Sequence, residues 1–524
     1  MQKVEMFDTT LRDGAQGEGI SYSVNDKISI VRSLETIGIE YIEAGNPGSN
    51  PKDAEFFEAI RNEDFSSKIV AFGSTRRRDT TCSEDRGCQA LLDAGTECVA
   101  VFGKCWMLHV TDVLQTTAEE NLKMISETVR WFKAHGKMVI FDAEHFFDGF
   151  YDNADYAMKA LEAAAMGGAD RLVLCDTNGG RFPSEVAMAV SDAVTRFVVP
   201  IGIHCHNDSG CAVACSVAAV EAGATQVQGT FLGFGERCGN ANLSTIIPDL
   251  QLKMGYTCIP AEEMESLTKT ARYIAEVSNL RLDHSMPFVG ESAFSHKGGM
   301  HIDGVMKNSA SFEHVPPEAV GNRRRLLVSE MSGRSAVAEK LQHIDADIKR
   351  DSAGLAEFAD VIKDLEHQGY QFESAGASME IRALKYFGKY TPFFTLCHYK
   401  IIGEQPAPET DRSAAAVVKI MVDGKVEMTA EEGDGPVHAL DKALKKALAV
   451  FYPEVGSIRL MDYKVRVIDS GNGAAAMVRV LIESTDGENS WNTVGASTDI
   501  IEASWLALVD SIEYKLLRGT GVIS

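Results

Sequence analysis

No run of apolar residues in this chain reaches the roughly 20 needed to span a bilayer, and the opening residues MQKVEMFDTTLRDG have neither the apolar core nor the cleavage pattern of a signal peptide. A cytoplasmic protein is expected. C-x-x-C pairs are missing among eleven cysteines that run from Cys82 to Cys397, so neither a zinc knuckle nor a disulfide frame is expected. Cys211 and Cys215 share a helical face, but two thiols alone make a poor metal site, and burial is the reading kept. Positive charge is also short. With 51 Lys and Arg against 75 Asp and Glu, the net charge of -24 argues against nucleic acid or an anionic membrane as partner. An acidic substrate would then need a local positive site. At 524 residues the chain is too long for one ordinary domain, and two or three are expected.

What is present is a repeated pattern. Eight short β-branched or apolar runs, at 4–10, 41–45, 69–75, 98–104, 138–144, 171–177, 201–208 and 225–232, alternate with amphipathic stretches. Leu122, Ile125, Val129 and Phe132 fall at helical spacing, as do Ile30, Leu34 and Ile37, and Gly38, Gly95, Gly136, Gly168 and Gly223 stand where C-terminal caps belong. Eight such units over about 250 residues predict a (β/α)8 TIM barrel with its site at the C-terminal strand ends, a doubly wound open sheet being the alternative. The barrel is assigned to 1–275.

A linker region with a Gly/Ser/His-rich loop at 288–304 and a helix carrying Leu355, Phe358, Ile362 and Leu365 occupies 276–390. From 391 to 524 a weak internal repeat predicts an α+β domain of two βββα units. Its strands are placed at 393–403, 414–422 and 425–430, then at 458–468, 475–483 and 490–494. Its helices carry Val437, Leu440, Leu444, Leu448 and Phe451, then Ile501, Trp505, Leu508 and Ile512. With no His, Asp and Glu cluster there, binding or oligomerisation is its expected task.

Chemistry concentrates at the predicted strand ends. His204 and His206 in IGIHCHND stand at i and i+2 of a strand and so face one side, where they are either two ligands for one ion or simply polar strand-end residues. Asp13, after the first strand, would stand at the same rim and complete a mixed nitrogen and oxygen set for a divalent Lewis acid. Arg12 beside it is either a surface residue or a guanidinium placed to meet developing oxyanion charge. Glu144 and Thr177 end the fifth and sixth strands, where a carboxylate could hold a proton and a hydroxyl could bind a substrate carboxylate; rim decoration is the plain alternative. GFGERCGNAN at 233–242 suits close backbone approach to a ligand.

In this order, DTTLRDGAQ (8–16), GIHCHND (202–208), GERCGNAN (235–242), SAFSHKGGMHIDG (292–304) and the duplicated C-terminal unit resemble the 2-isopropylmalate, homocitrate and citramalate synthase family over essentially the whole chain. GAQGEGISYSVNDK, NPGSNPKD, FGSTRRR, DAEHFFDGF, LCDTNGG, VGNRRRLLVSEMSGRS and NTVGASTDIIEASW are similar to its long citramalate-forming members. The resemblance implies a metal-dependent Claisen condensation of acetyl-CoA with pyruvate, followed by thioester hydrolysis. It further implies Asp13, His204 and His206 as ligands of Mn2+, Mg2+ or Zn2+, with Asn240 in or near that shell. Arg12 is implied as oxyanion stabiliser, Thr177 as partner of the 2-oxo acid carboxylate, and Glu144 in the substrate pocket. His301 is implied as, or within, the base for the acetyl methyl group, with Asp303 nearby. In related enzymes that loop reaches the partner subunit's barrel, which implies a homodimer, and the C-terminal repeat implies feedback by an end-product amino acid, isoleucine. The chain departs from the family at Asn46, Met107 and Phe312, where Trp, Asp and Tyr are common. A sister synthase for a larger 2-oxo acid, a lyase of the same barrel, and a non-catalytic amino-acid sensor are the rival functions.

Overall fold

The computed structural model describes residues 2–327, 354–403, 414–468, 476–487 and 489–521. Two compact units divide the chain: Met1–Phe294 with His314–Arg323, and Ser295–Glu313 with Arg324–Ser524. In the first, β1 (Glu5–Asp8), β2 (Tyr41–Gly45), β3 (Lys68–Ser74), β4 (Cys98–Lys104), β5 (Met138–Glu144), β6 (Arg171–Asp176), β7 (Ile201–Cys205) and β8 (Gln226–Gly229) form a closed parallel barrel. Pairing of β1 with β8, Phe7 opposite Gln228 and Asp8 opposite Gly229, closes it and rules out the open sheet. The predicted bounds of β2, β4 and β5 match, while those of β1, β3, β6, β7 and β8 overshoot at the C-terminal end. β7 stops at Cys205, and His206 continues the line as an isolated bridge to Asn240 while its backbone N–H still reaches the Asp176 carbonyl (3.1 Å).

Two apolar layers hold this unit. Between strands and helices lies a large core that includes Ile30, Leu34, Phe132, Phe141 and Leu161. Inside the barrel a smaller cluster, Phe7, Tyr41, Val70, Ala100, Ile140 and Val173, fills the lower part. Since side chains at i and i+2 of a strand share a face, the next inward positions up each strand are Glu43, Phe72, Phe102, Asp142 and Cys175. The barrel therefore changes from apolar to polar and aromatic toward its C-terminal mouth. All five expected cap glycines adopt positive φ, from 74° at Gly136 to 110° at Gly223, a backbone region that Cβ-bearing residues avoid.

In the second unit β9 (Ser295–His296) pairs with β10 (Arg325–Leu326), and the helix Gly299–Lys307 carries His301 and Asp303. Then come β11 (Thr395–Gly403), β12 (Ala414–Val422) and β13 (Lys425–Gly433) with helix Pro436–Ala449, and β14 (Arg459–Val467), β15 (Val478–Thr485) and β16 (Ser490–Ser497) with helix Ile500–Gly519. These are the two expected βββα repeats. Each first strand breaks register two residues in, between Leu396 and His398 and between Leu460 and Asp462, so the duplication extends to a matching β-bulge. Residues 328–335 of VGNRRRLLVSEMSGRS, and Ala475 at the start of one expected strand, lie outside the described residues.

Candidate active site and metal centre

The turn after β1 is tied down by Asp8, which accepts from the Thr10 N–H (2.9 Å) and hydroxyl (3.0 Å), and this sets Arg12 and Asp13 on the rim. Asp13 there meets His204 and His206. Their ligand atoms all lie within 4.8 Å of one another, with Nε2 of His204 and of His206 at 3.7 and 3.8 Å from Asp13 Oδ2. All three residues are buried. Burial alone would raise the Asp13 carboxyl, but Arg12, His204 and His206 hold it far below the ordinary carboxylate range. His204 is pushed down to about 3, by burial first and then by His206. Its ring is neutral.

One amide fixes which nitrogen of His204 is free. Gln228 donates its Nε2 to Asp142 (3.1 Å), so its Oε1 faces His204 Nδ1 (3.2 Å) as acceptor. Nδ1 therefore carries the hydrogen, and Nε2 offers its lone pair toward Asp13. Asn240 donates to Asp13 Oδ1 (2.9 Å) and to the Phe234 carbonyl (3.0 Å), while its buried Oδ1 has no hydrogen-bond partner among the described residues. One carboxylate, two imidazoles and an orphaned amide oxygen fit a divalent ion. The glycine-rich run has a local purpose here. A Cβ at Gly235 would lie 2.1 Å from Asn240 Nδ2, and one at Gly239 would lie 2.0 Å from the Gly233 carbonyl, so the glycines let the chain fold on itself and deliver Asn240.

Arg12 donates from Nε to Glu43 Oε2 (2.6 Å) and from a terminal nitrogen to Asp13 Oδ2 (3.0 Å), with its guanidinium 3.8 Å above the Phe72 ring. Glu43 is fully buried. Burial raises its carboxyl, opposed chiefly by Arg12, and Asp142 is raised to about 8 by burial and then by Glu43. A cavity of about 320 Å3 opens over these groups, walled by Asn46, Phe72, Phe102, Glu144 and Thr177, among others. Phe72 and Phe102 stack at 5.2 Å. Glu144 pairs with Lys104, and Thr177 Oγ1 accepts from the His145 N–H (2.9 Å), which leaves its own hydroxyl hydrogen for another acceptor.

The barrel thus brings together Arg12, Asp13, Glu144, Thr177, His204, His206 and Asn240. His301 and Asp303 belong to the other unit, where the His301 ring stacks on Phe312 at 4.3 Å and Asp303 pairs with Lys307 at 2.6 Å. The residue-by-residue reading passed over Glu43, Asp142 and Gln228. Their signal was present, since a charged or amide side chain inside YIEAG, MVIFDAE and QVQG is out of place in a buried strand unless it serves a site.

Residues 3–274 match the HMGL-like family, residues 288–370 the homocitrate synthase post-HMGL domain, and residues 373–516 the LeuA allosteric (dimerisation) domain. The chain is 50% identical to an (R)-citramalate synthase of Aquifex aeolicus over 99% of this chain and 98% of that one. It is 48% identical to another from Synechocystis sp., over 98% and 96%. A probable 2-isopropylmalate synthase of Methanopyrus kandleri stands further off, at 33% over 97% and 98%. Matched along nearly its whole length by these enzymes, the chain belongs to the HMGL-like synthase family and, within it, lies nearer the (R)-citramalate synthases than the 2-isopropylmalate synthases.

Proposed function

We propose that this chain condenses acetyl-CoA with pyruvate and hydrolyses the thioester, making (R)-citramalate. One observation carries the reading: the Asp13, His204 and His206 trio opens into the same cavity as Arg12 and Thr177, with a stacked phenylalanine pair in its wall, a lining that suits a short 2-oxo acid. Asp13, His204 and His206, with Asn240 beside them, would hold a divalent ion, Mn2+, Mg2+ or Zn2+, which when bound supplies Lewis-acid polarisation of a ketone.

The side chains do the rest. Thr177 donates its hydroxyl hydrogen to the pyruvate carboxylate and so fixes which way the ketone faces. His301, acting in a homodimer, takes a proton from the acetyl methyl group, and the enolate carbon forms its bond to the ketone carbon. Charge moves to the ketone oxygen, where the Arg12 guanidinium, already held by Glu43 and Phe72, meets it without reorganising. Glu144, with Lys104, stands at the cavity wall to hold a proton or the water that releases CoA. The second unit is proposed to dimerise the chain and to bind isoleucine, as the match to an allosteric dimerisation domain supports.

A thiol-reagent assay of CoA release across 2-oxo acids tests the function. Pyruvate should turn over fastest. Preference for 2-oxoisovalerate or 2-oxoglutarate would make the chain a sister synthase, and acetoacetate release from a hydroxyacyl-CoA would make it a lyase. Isoleucine should lower the rate, and light scattering should give twice the chain mass.

A further inference from the structure

Phe72 of the FGSTRRR motif at 72–78 lines the cavity above, but the motif's three arginines take no part in that chemistry, and the fold treats them differently. Arg76 is buried and spent on anchoring. Its guanidinium lies 2.9 Å from Glu120 and 2.7 Å from Glu127, and its backbone N–H donates to Thr128 Oγ1 at 3.0 Å, which binds the loop after β3 to the helix Ala118–Ala134. Arg77 and Arg78 are exposed. The Arg77 N–H is held by Asp85 (3.0 Å) and the Arg78 guanidinium donates to the Gln115 carbonyl, but among the described residues no carboxylate pairs with either side chain. In a chain of net charge -24, two neighbouring guanidinium groups with no carboxylate partner among the described residues leave a small positive patch on this loop.

These arginines edge a slot of about 290 Å3 at the ends of β3 and β4, floored by Phe102, Val113, Leu114 and Met124. Phe102 also lines the catalytic cavity. Lys104 of the slot pairs with Glu144 of that cavity, so the two spaces share a wall. A basic edge over an apolar floor, one wall from the reacting centre, suits a ligand that has an apolar arm and ends in phosphates.

We infer that this slot seats the phosphate-bearing arm of the acyl-CoA, Arg77 and Arg78 pairing with its phosphates while the thioester reaches past Phe102 into the cavity. The inference rests on the thioester reading of that cavity. It gives the local positive site that an acidic chain needs for a polyanionic substrate.

The test compares acetyl-CoA with acetyl-pantetheine, which keeps the thioester and lacks the nucleotide, in the native enzyme and in the double variant Arg77→Ala/Arg78→Ala. The KM for acetyl-CoA should rise by about tenfold or more while acetyl-pantetheine kinetics stay unchanged, and Arg77→Lys/Arg78→Lys should recover part of the loss. Adenosine 3′,5′-bisphosphate, titrated by calorimetry, should bind the native protein and bind the alanine variant at least about tenfold more weakly. An equal loss for both thioesters, an unchanged ratio between them, or no difference in bisphosphate binding would overturn the assignment. If the native protein condensed neither thioester with pyruvate, the proposed function would fail instead, and the calorimetry would still decide the slot.

Discussion

Replacing Arg12 with Gln removes, among the described residues, the one cation that contacts Glu43 and Asp13 together, and the structure sets both the size and the pH dependence of the result. Arg12 is 12% exposed and Glu43 not at all, so the pair is buried, and deleting one partner of such a pair costs about 3–5 kcal/mol because the other is left uncompensated. Glu43 already lies above its ordinary 4.5 in the folded chain through burial, and Arg12 is the largest influence holding it down. Without Arg12 it rises further. The folded state then binds more protons than the unfolded state across the interval above 4.5, so stability falls as pH rises there. The deficit of Arg12→Gln should therefore be smaller near pH 5, where the loss of the Asp13 contact already counts, and grow to about 3–5 kcal/mol by pH 8. Urea unfolding at both pH values, with hydrogen exchange of β1 and β2 assigning the transition to the barrel, measures it. Turnover should fall by about 10²–10³ as well if Arg12 is the proposed donor to the developing oxyanion. An equal deficit at pH 5 and pH 8, or one below about 1 kcal/mol at pH 8, would refute the claim that Arg12 compensates Glu43.

Four further substitutions, two in each unit, have definite expected outcomes. His204→Ala should lose bound divalent metal, read by elemental analysis, and with it all turnover, whereas His301→Ala should keep its metal and its pyruvate binding while turnover collapses; near-normal turnover in the latter would remove His301 as the base. Phe102→Ala should shift the ratio of kcat/KM between 2-oxoisovalerate and pyruvate toward the larger acid by about 10–100-fold, because pocket volume of this order discriminates by 1–3 kcal/mol, and an unchanged ratio would acquit the phenylalanine pair. Trp491 is buried and donates its indole N–H to the Ser511 carbonyl and hydroxyl, each at 3.1 Å; Trp491→Ala should destabilise the second unit by about 3–5 kcal/mol, seen as an earlier calorimetric transition with the barrel transition unmoved.

The barrel was legible because its two signals are strong and local: buried strands read as apolar runs, and the helix ends announce themselves through five glycines that adopt positive φ. His204 and His206 were legible through period-two spacing, and Asp13 through its place after a strand. Strand ends were legible only in part: those of β2, β4 and β5 fall where expected, and that of β7 does not. His206, Asn207 and Asp208 read as strand, yet the ladder gives way at Cys205 because the Cys205 carbonyl accepts from the Ala241 N–H and the Asn207 N–H donates to the Gly239 carbonyl, partners more than thirty residues away. Glu43, Asp142 and Gln228 share the reason in another form. Each makes sense only when the barrel closes and stacks it over Arg12 or beside His204, a relation that no window of sequence contains.

The paired bulges have a consequence for how copies of this chain can meet. In each three-stranded sheet the bulged strand, β11 or β14, is an edge, and the bulge leaves Cys397 or Met461 out of step with the ladder. An edge with a stuttered row of donors and acceptors is a poor template for adding strand after strand. A domain of this kind can associate through its faces or its other edges and still stop at a closed number of copies instead of polymerising.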